Sequence, residues 1–212
     1  MSIMDNSKVI CIGRQIGSGG KEIAEKLAKK LDLPLYDKEI LALAARNTGF
    51  GKEIFENADE KASLNVFIGF VGSYPMVNDS LMIQENPLSN DALFKMQYDA
   101  ITQIASKGSA VFVGRCADFI LRDHPGLFSV FICGNKKDRI ERLCRLRGIT
   151  MEEAIKTIKK IDKQRSTYYK YYTDKSWGVA SSYDVCINSS VLGIDGTVDA
   201  ILWLLEKQET SR

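Results

Sequence analysis

The sequence predicts an α/β fold in three layers, a parallel β-sheet covered by helices on both faces and carrying two helical inserts. Three observations lead there. Four short runs, "KVICIG", "SAVFVG", "FSVFICG" and "YDVCINS", are apolar nearly throughout, as strands buried on both faces are. Amphipathic helical patterns stand between them, and strands alternating with helices build layered α/β domains. Finally, 212 residues with 45% hydrophobic and 26% charged side chains can fill one such core.

The first strand is "KVICIG", and the helix after it is "KEIAEKLAKKL". Ile23, Ala24, Leu27, Ala28 and Leu31 fall on one of its faces. "YDKEILALAAR" predicts a second helix. Residues 37–89 contain helical pieces and then a polar, Gly- and Pro-containing stretch, "GSYPMVNDSLMIQENPLSND", which breaks the alternation. Leu93, Met96, Ile101 and Ile104 repeat at looser helical spacing before the strand "SAVFVG". Ile140, Leu143 and Leu146 mark the helix after "FSVFICG", and "TVDAILWLLEK" closes the chain after "YDVCINS". Residues 148–178 form a basic, tyrosine-rich helical insert with too little apolar content to bury a core alone. Both inserts belong over the C-terminal edge of the strands, where open α/β sheets bind ligands.

Composition excludes several classes. A net charge of +2 gives no bulk argument for nucleic acid or membrane. The longest apolar stretch, "LNVFIGFVGSYPMV", is broken by Asn65, two glycines and Pro75 short of membrane-spanning length. "MSIMDNSK" runs directly into the first strand with no signal-peptide pattern. Five cysteines without a C-x-x-C pair argue against zinc and a disulfide framework. Cys11, Cys133 and Cys186 read as small core residues. A soluble, cytoplasmic, reduced protein is the expectation.

The chemistry is concentrated in "GRQIGSGGKE". A strand, a glycine loop and an amphipathic helix in that order make an anion cradle, in which loop amides and the helix N-terminus face the ligand. Gly17, Ser18, Gly19, Gly20, Lys21 and Glu22 are its residues. Glycines allow φ > 0 and close approach of the backbone. The usual phosphate-binding motif, G-x-x-x-x-G-K-[ST], has a lysine and then a hydroxyl after its last glycine. Here Gly20 stands in the lysine's place and Lys21 in the hydroxyl's. One residue turns a helical side chain by about 100°, so Lys21 does not inherit the lysine's position. Arg14, at the loop entrance, is a candidate replacement cation or else a surface arginine. Ser18 is the nearest hydroxyl for a metal.

After the second predicted strand comes "GRCAD". Arg115 at the sheet edge suits a phosphate or a base, or a structural salt bridge. Cys116 suits packing or a base contact rather than nucleophilic attack, since no triad accompanies it. Asp118 follows two residues on. Asp37 stands after the first βα unit, as an acceptor-orienting carboxylate or as an N-cap. Asn188 and Ser189 end the last strand. The insert's cations and tyrosines also fit single-stranded nucleic acid, or a solvated helix with an aromatic packing face.

The run of "GRQIGSGGKEIAEKLAKKL", "YDKEIL", "VFVGRCADFIL", "RIERL", "DKQRSTYYKYY" and "YDVCINSS" resembles the cytidylate kinase-like family over nearly the full length. The resemblance implies a P-loop NTPase-like core made of residues 1–36, 106–147 and 179–212. It implies a helical acceptor-binding insert at 37–105 and a lid at 148–178. It further implies ATP and Mg2+, with transfer of the γ-phosphoryl group to a nucleoside monophosphate, CMP or dCMP. The implied roles are donor contacts from the glycine loop and acceptor contacts from Asp37, Arg115, Cys116 and Asp118. Lid charge would come from Lys163 and Arg165, and further charge from Arg139 and Arg142. The displaced lysine leaves two alternatives open, a nucleotide-binding sensor with little turnover and a kinase for another small acceptor.

Overall fold

The computed structural model describes residues 7–37 and 90–210. The helix expected from "YDKEILALAAR", apart from its first two residues, and the polar stretch to residue 89 lie outside them. The described elements are β1 (Val9–Arg14), α1 (Gly20–Leu31), β2 (Leu35–Tyr36), α2 (Asn90–Ala105), β3 (Ala110–Val113), α3 (Ala117–Ile120), β4 (Leu127–Cys133), α4 (Lys136–Arg147), α5 (Met151–Thr173), β5 (Val185–Asn188) and α6 (Ser189–Thr210). The strands form one sheet in the order β2-β3-β1-β4-β5. Every pairing is parallel.

Alternation along each strand decides which layer a side chain joins. Ile10, Ile12, Val111, Val113, Val130 and Ile132 point to one face, where they meet Ile23, Ala24 and Leu27 of α1 and Val198, Ile201 and Leu205 of α6. Val9, Cys11, Ala110 and Phe112 point to the other, against Ile101 and Ala105 of α2 and Ala117 and Ile120 of α3. Both faces are therefore covered, and the all-apolar strands follow from that. A smaller cluster joins Ile16 to Ile140 and Leu143 of α4 and Ala154 of α5. No helix among the described residues is long and apolar enough to cross a membrane.

Three details depart from the sequence reading. β2 is a fifth strand, too short at two residues to show any period. Cys186 is exposed, on the edge strand β5. Leu146, expected to share α4's apolar face with Ile140 and Leu143, is 70% exposed.

The connection leaving β1 runs toward β2, whereas that leaving β4 runs toward β5. The two diverge between neighbouring strands, and that topological switch point opens a crevice at the strands' C-terminal ends. The glycine loop lies in it.

Candidate functional site

The loop is fixed before any ligand arrives. Gln15 N–H donates to Ile132 O at 3.0 Å, and Gly134 N–H donates to Gln15 Oε1 at 3.2 Å. Gly17 and Gly19 have φ of 77° and 80°, the left-handed region that side chains disfavour. Gly19 caps α1 without a side-chain hydrogen bond, which leaves the helix's first amides directed at the crevice. A Cβ on Gly17 would stand 2.6 Å from the Arg139 carbonyl, and one on Gly19 would meet Ile194 and the Arg142 guanidinium. The loop thus lies too close to α4 and α6 for side chains at either position.

Two predicted site residues, Ser18 and Arg139, prove to build this loop rather than line the crevice. Ser18 is 2% exposed, and its hydroxyl donates to Gln15 O at 2.9 Å, so its side chain lies within the turn and does not line the cleft. Arg139 is 6% exposed. Its Nε donates to Ile16 O at 2.7 Å, and its other end pairs with Asp162 of α5. Asp162 Oδ1 accepts the Ile16 N–H at 3.0 Å. Arg139 therefore holds backbone, with its partner absent from the sequence reading. Ser189 is also buried, its hydroxyl within 2.6 Å of Ser18 O and 2.9 Å of Cys133 O. Asn188 bonds Asn135 at 3.0 Å.

A cleft of about 670 Å³ opens beside the loop. Gly17, Gly19, Gly20, Lys21 and Glu22 form one wall, with Arg14, Asp37 and Arg115 beneath it. Arg142, Arg147, Lys156, Lys160, Gln164 and Arg165 line the α4–α5 side. Among the described residues eight cations thus face two carboxylates. Glu22 is engaged by Arg142 at 3.2 Å and by Lys26 at 3.8 Å. Lys21 Nζ lies 3.1 Å from Asp37 Oδ2. Arg165 Nη1 donates to Arg14 O at 2.9 Å, which brings α5 onto the end of β1.

The course of the Arg14 side chain depends on two absent ones. A Cβ on Gly20 would lie 2.5 Å from Arg14 Cβ and 3.0 Å from its Cγ, and a Cβ on Gly114 would strike its guanidinium. The side chain starts above Gly20, where a conventional loop carries its lysine, and ends beside Gly114.

The turn after β3 takes three left-handed residues in succession, Gly114 (φ 73°), Arg115 (φ 61°) and Cys116 (φ 56°). A side chain in that region costs about 1–2 kcal/mol, so the turn stores strain while it presents Arg115 to the cleft. Cys116 and Asp118 do not line the cleft. Cys116 is 3% exposed and packs with Phe131, Tyr169 and Tyr183. Burial pushes its thiol up, and Asp118 adds to the shift. Asp118 Oδ2 accepts the Tyr169 hydroxyl at 2.6 Å, and burial raises its carboxyl above the usual range. Lys163 is exposed and does not line the cleft.

Sequence reasoning missed Arg147 and Gln164 as cleft residues and read Lys156 and Lys160 only as part of a basic insert. The signal was available: Lys156, Lys160 and Gln164 repeat every fourth residue, one stripe on one helix. Among the described residues, no group of three or more His, Cys, Asp or Glu gathers to hold a metal.

A family model described as the cytidylate kinase-like family matches residues 9–191. A crystal structure of an uncharacterized protein from Eubacterium ventriosum superposes with a TM-score of 0.72 at 29% identity, covering 94% of this chain and 98% of that one. Shikimate kinase from Bacteroides thetaiotaomicron superposes with a TM-score of 0.54 at 15% identity over 95% and 99% of the two chains, a likeness of fold alone. No curated protein matches.

Proposed function

The chain belongs to the cytidylate kinase-like family, and we propose that it is a phosphotransferase moving the γ-phosphoryl group of ATP to a small acceptor. Cytidine monophosphate or its deoxy form is the first candidate by family. The observation that carries this reading is the convergence of a pre-shaped amide cradle with Arg14, Lys21, Arg115, Arg142 and Arg165 on one cleft. Phosphoryl transfer asks a protein mainly for positioning and for positive charge around the equatorial oxygens. That cleft offers both.

In this reading the amides of residues 17–21 take the donor phosphates. Arg14 takes the place of the missing loop lysine, with Arg142 and Arg165 as lid-side cations. Arg115 and Asp37 face the acceptor. The core, acceptor insert and lid keep the boundaries given above, with α5 as the lid helix. A triphosphate fits the donor set. Among the described residues magnesium meets no unengaged donor in the cleft, because Ser18 is turned inward while Glu22 and Asp37 already hold cations. Free thiols at all five cysteines support a cytoplasmic, reducing setting.

A second reading, a nucleotide sensor with little turnover, draws on the glycine at position 20. One experiment separates them: ADP release measured with a panel of nucleoside monophosphates and other small alcohols and phosphates as acceptors. Turnover on one acceptor, lost in Arg115→Ala, supports the kinase. Tight ATP binding without ADP release on any acceptor supports the sensor and refutes the kinase.

A further inference from the structure

The mismatch between this cleft and magnesium points to a different cation. We infer that Lys21, braced by Asp37, occupies the seat that phosphate-binding loops give to a metal-ligating hydroxyl, so that polyphosphate binds here without a protein-bound divalent cation. The inference rests on the reading of the loop as a phosphate site.

Register supplies the first argument. Gly19 caps α1 and Gly20 is its first helical residue, so Lys21 stands where the motif's Ser or Thr reaches a magnesium ion. Geometry supplies the second. Lys21 lines the cleft, and its ammonium lies 3.1 Å from a carboxylate at the end of β2. Asp37 is 8% exposed, and a nearly buried carboxylate needs a partner cation. In a metal-dependent loop a divalent ion stands between hydroxyl, carboxylate and phosphates. Here the ammonium stands beside the carboxylate and faces the cleft on a flexible stem.

Among the described residues few cleft oxygens are left for a metal. Magnesium keeps several waters and takes one or two protein carboxylates beside the phosphates it bridges. The Ser18 hydroxyl is donated inward, Glu22 holds two cations, and Asp37 holds Lys21. An ammonium fixed on Asp37 also repels a second cation from the same oxygens. Lys21 and Arg14 together return to the loop the charge that a conventional lysine and its metal would bring.

The test is calorimetric titration of the full chain with ATP, once with magnesium and once with EDTA. ATP is expected to bind no more weakly in EDTA than with magnesium, within about threefold. Affinity that drops by about tenfold or more in EDTA overturns the inference. Lys21→Ser is expected to lose about tenfold in EDTA and to recover with magnesium, as its new hydroxyl finds a metal. Lys21→Ala is expected to lose affinity in both buffers. A Lys21→Ser variant that binds like the parent in EDTA also overturns the inference. If the parent chain binds ATP in neither buffer, the phosphate site itself is refuted, a result distinct from binding that depends on magnesium.

Discussion

Replacing Gly20 with alanine tests whether Arg14 has taken over the loop cation's position. Gly20 opens α1 in ordinary helical geometry, where alanine is favoured over glycine by about 1 kcal/mol if space is open. The space is not open. The new Cβ would stand 2.5 Å from Arg14 Cβ and 3.0 Å from its Cγ, well inside ordinary carbon contact. Arg14 Cβ is tied directly to the backbone of β1 and cannot rotate away, so the crowding falls on strand and helix. Overpacking of this kind costs about 1–3 kcal/mol. Subtracting the propensity gain leaves a net loss of roughly 0–2 kcal/mol. The sign alone is a weak readout, so the assay is a double-mutant cycle with Arg14→Gly, which removes both clashing atoms, followed by urea unfolding. The two changes should couple by about 1–3 kcal/mol. A Gly20→Ala variant that gains about 1 kcal/mol, with no coupling to position 14, refutes the reasoning. For the same reason, Gly20→Lys with Lys21→Ser, which rewrites the loop into the usual motif, is expected to weaken ATP binding.

Three further perturbations follow from the same geometry. Gly114→Ala places a Cβ at φ 73° against the Arg14 guanidinium; we expect a stability loss of about 1–2 kcal/mol and ATP affinity about tenfold lower. Unchanged affinity by calorimetry would detach Arg14 from the phosphates. Asp162→Ala strips the buried Arg139 of its partner and Ile16 N–H of its acceptor, and should cost about 3 kcal/mol in urea unfolding; a loss under about 1 kcal/mol would show that the clamp is dispensable. Asp118 has its folded carboxyl raised from an ordinary 3.8, chiefly by burial. The native state therefore holds that proton longer than the unfolded chain, and the group's contribution to stability falls as pH rises through that window. Asp118→Asn still accepts from Tyr169 and should gain stability relative to the parent as pH rises from about 4 toward neutrality. A stability difference that does not change with pH would refute that assignment.

The core was legible because burial on both faces leaves an unambiguous mark: "VICIG", "AVFV" and "FSVFIC" are apolar without alternation, and each is a central strand. The strand order was not legible, since no residue of β1 states that β3 and β4 are its neighbours. The glycine loop was legible through its setting between strand and helix. Side-chain direction within it was not. Ser18 and Arg139 were chosen for their chemistry, yet a hydroxyl within a tight loop, or a guanidinium packed against one, is as readily claimed by a nearby carbonyl. Asp162 was passed over inside "IDKQR" because its partner lies 23 residues away on another helix. The start of α5 could have been read locally: Thr150 and Glu153 form a capping box, and T-x-x-E announces one.

The contacts of α5 with the loop constrain how the cleft can close. Asp162 and Arg165 lie three residues apart on one face of the helix and grip the chain at successive points, the amide of residue 16 and the carbonyl of residue 14. To lift α5 as a flap would strip both bonds and expose a charged pair at its base. Motion that preserves them turns about this stretch as a pivot. The basic half before Asp162 and the tyrosine-rich half after Arg165 would then move in opposite senses, as a rocker and not a hinged flap.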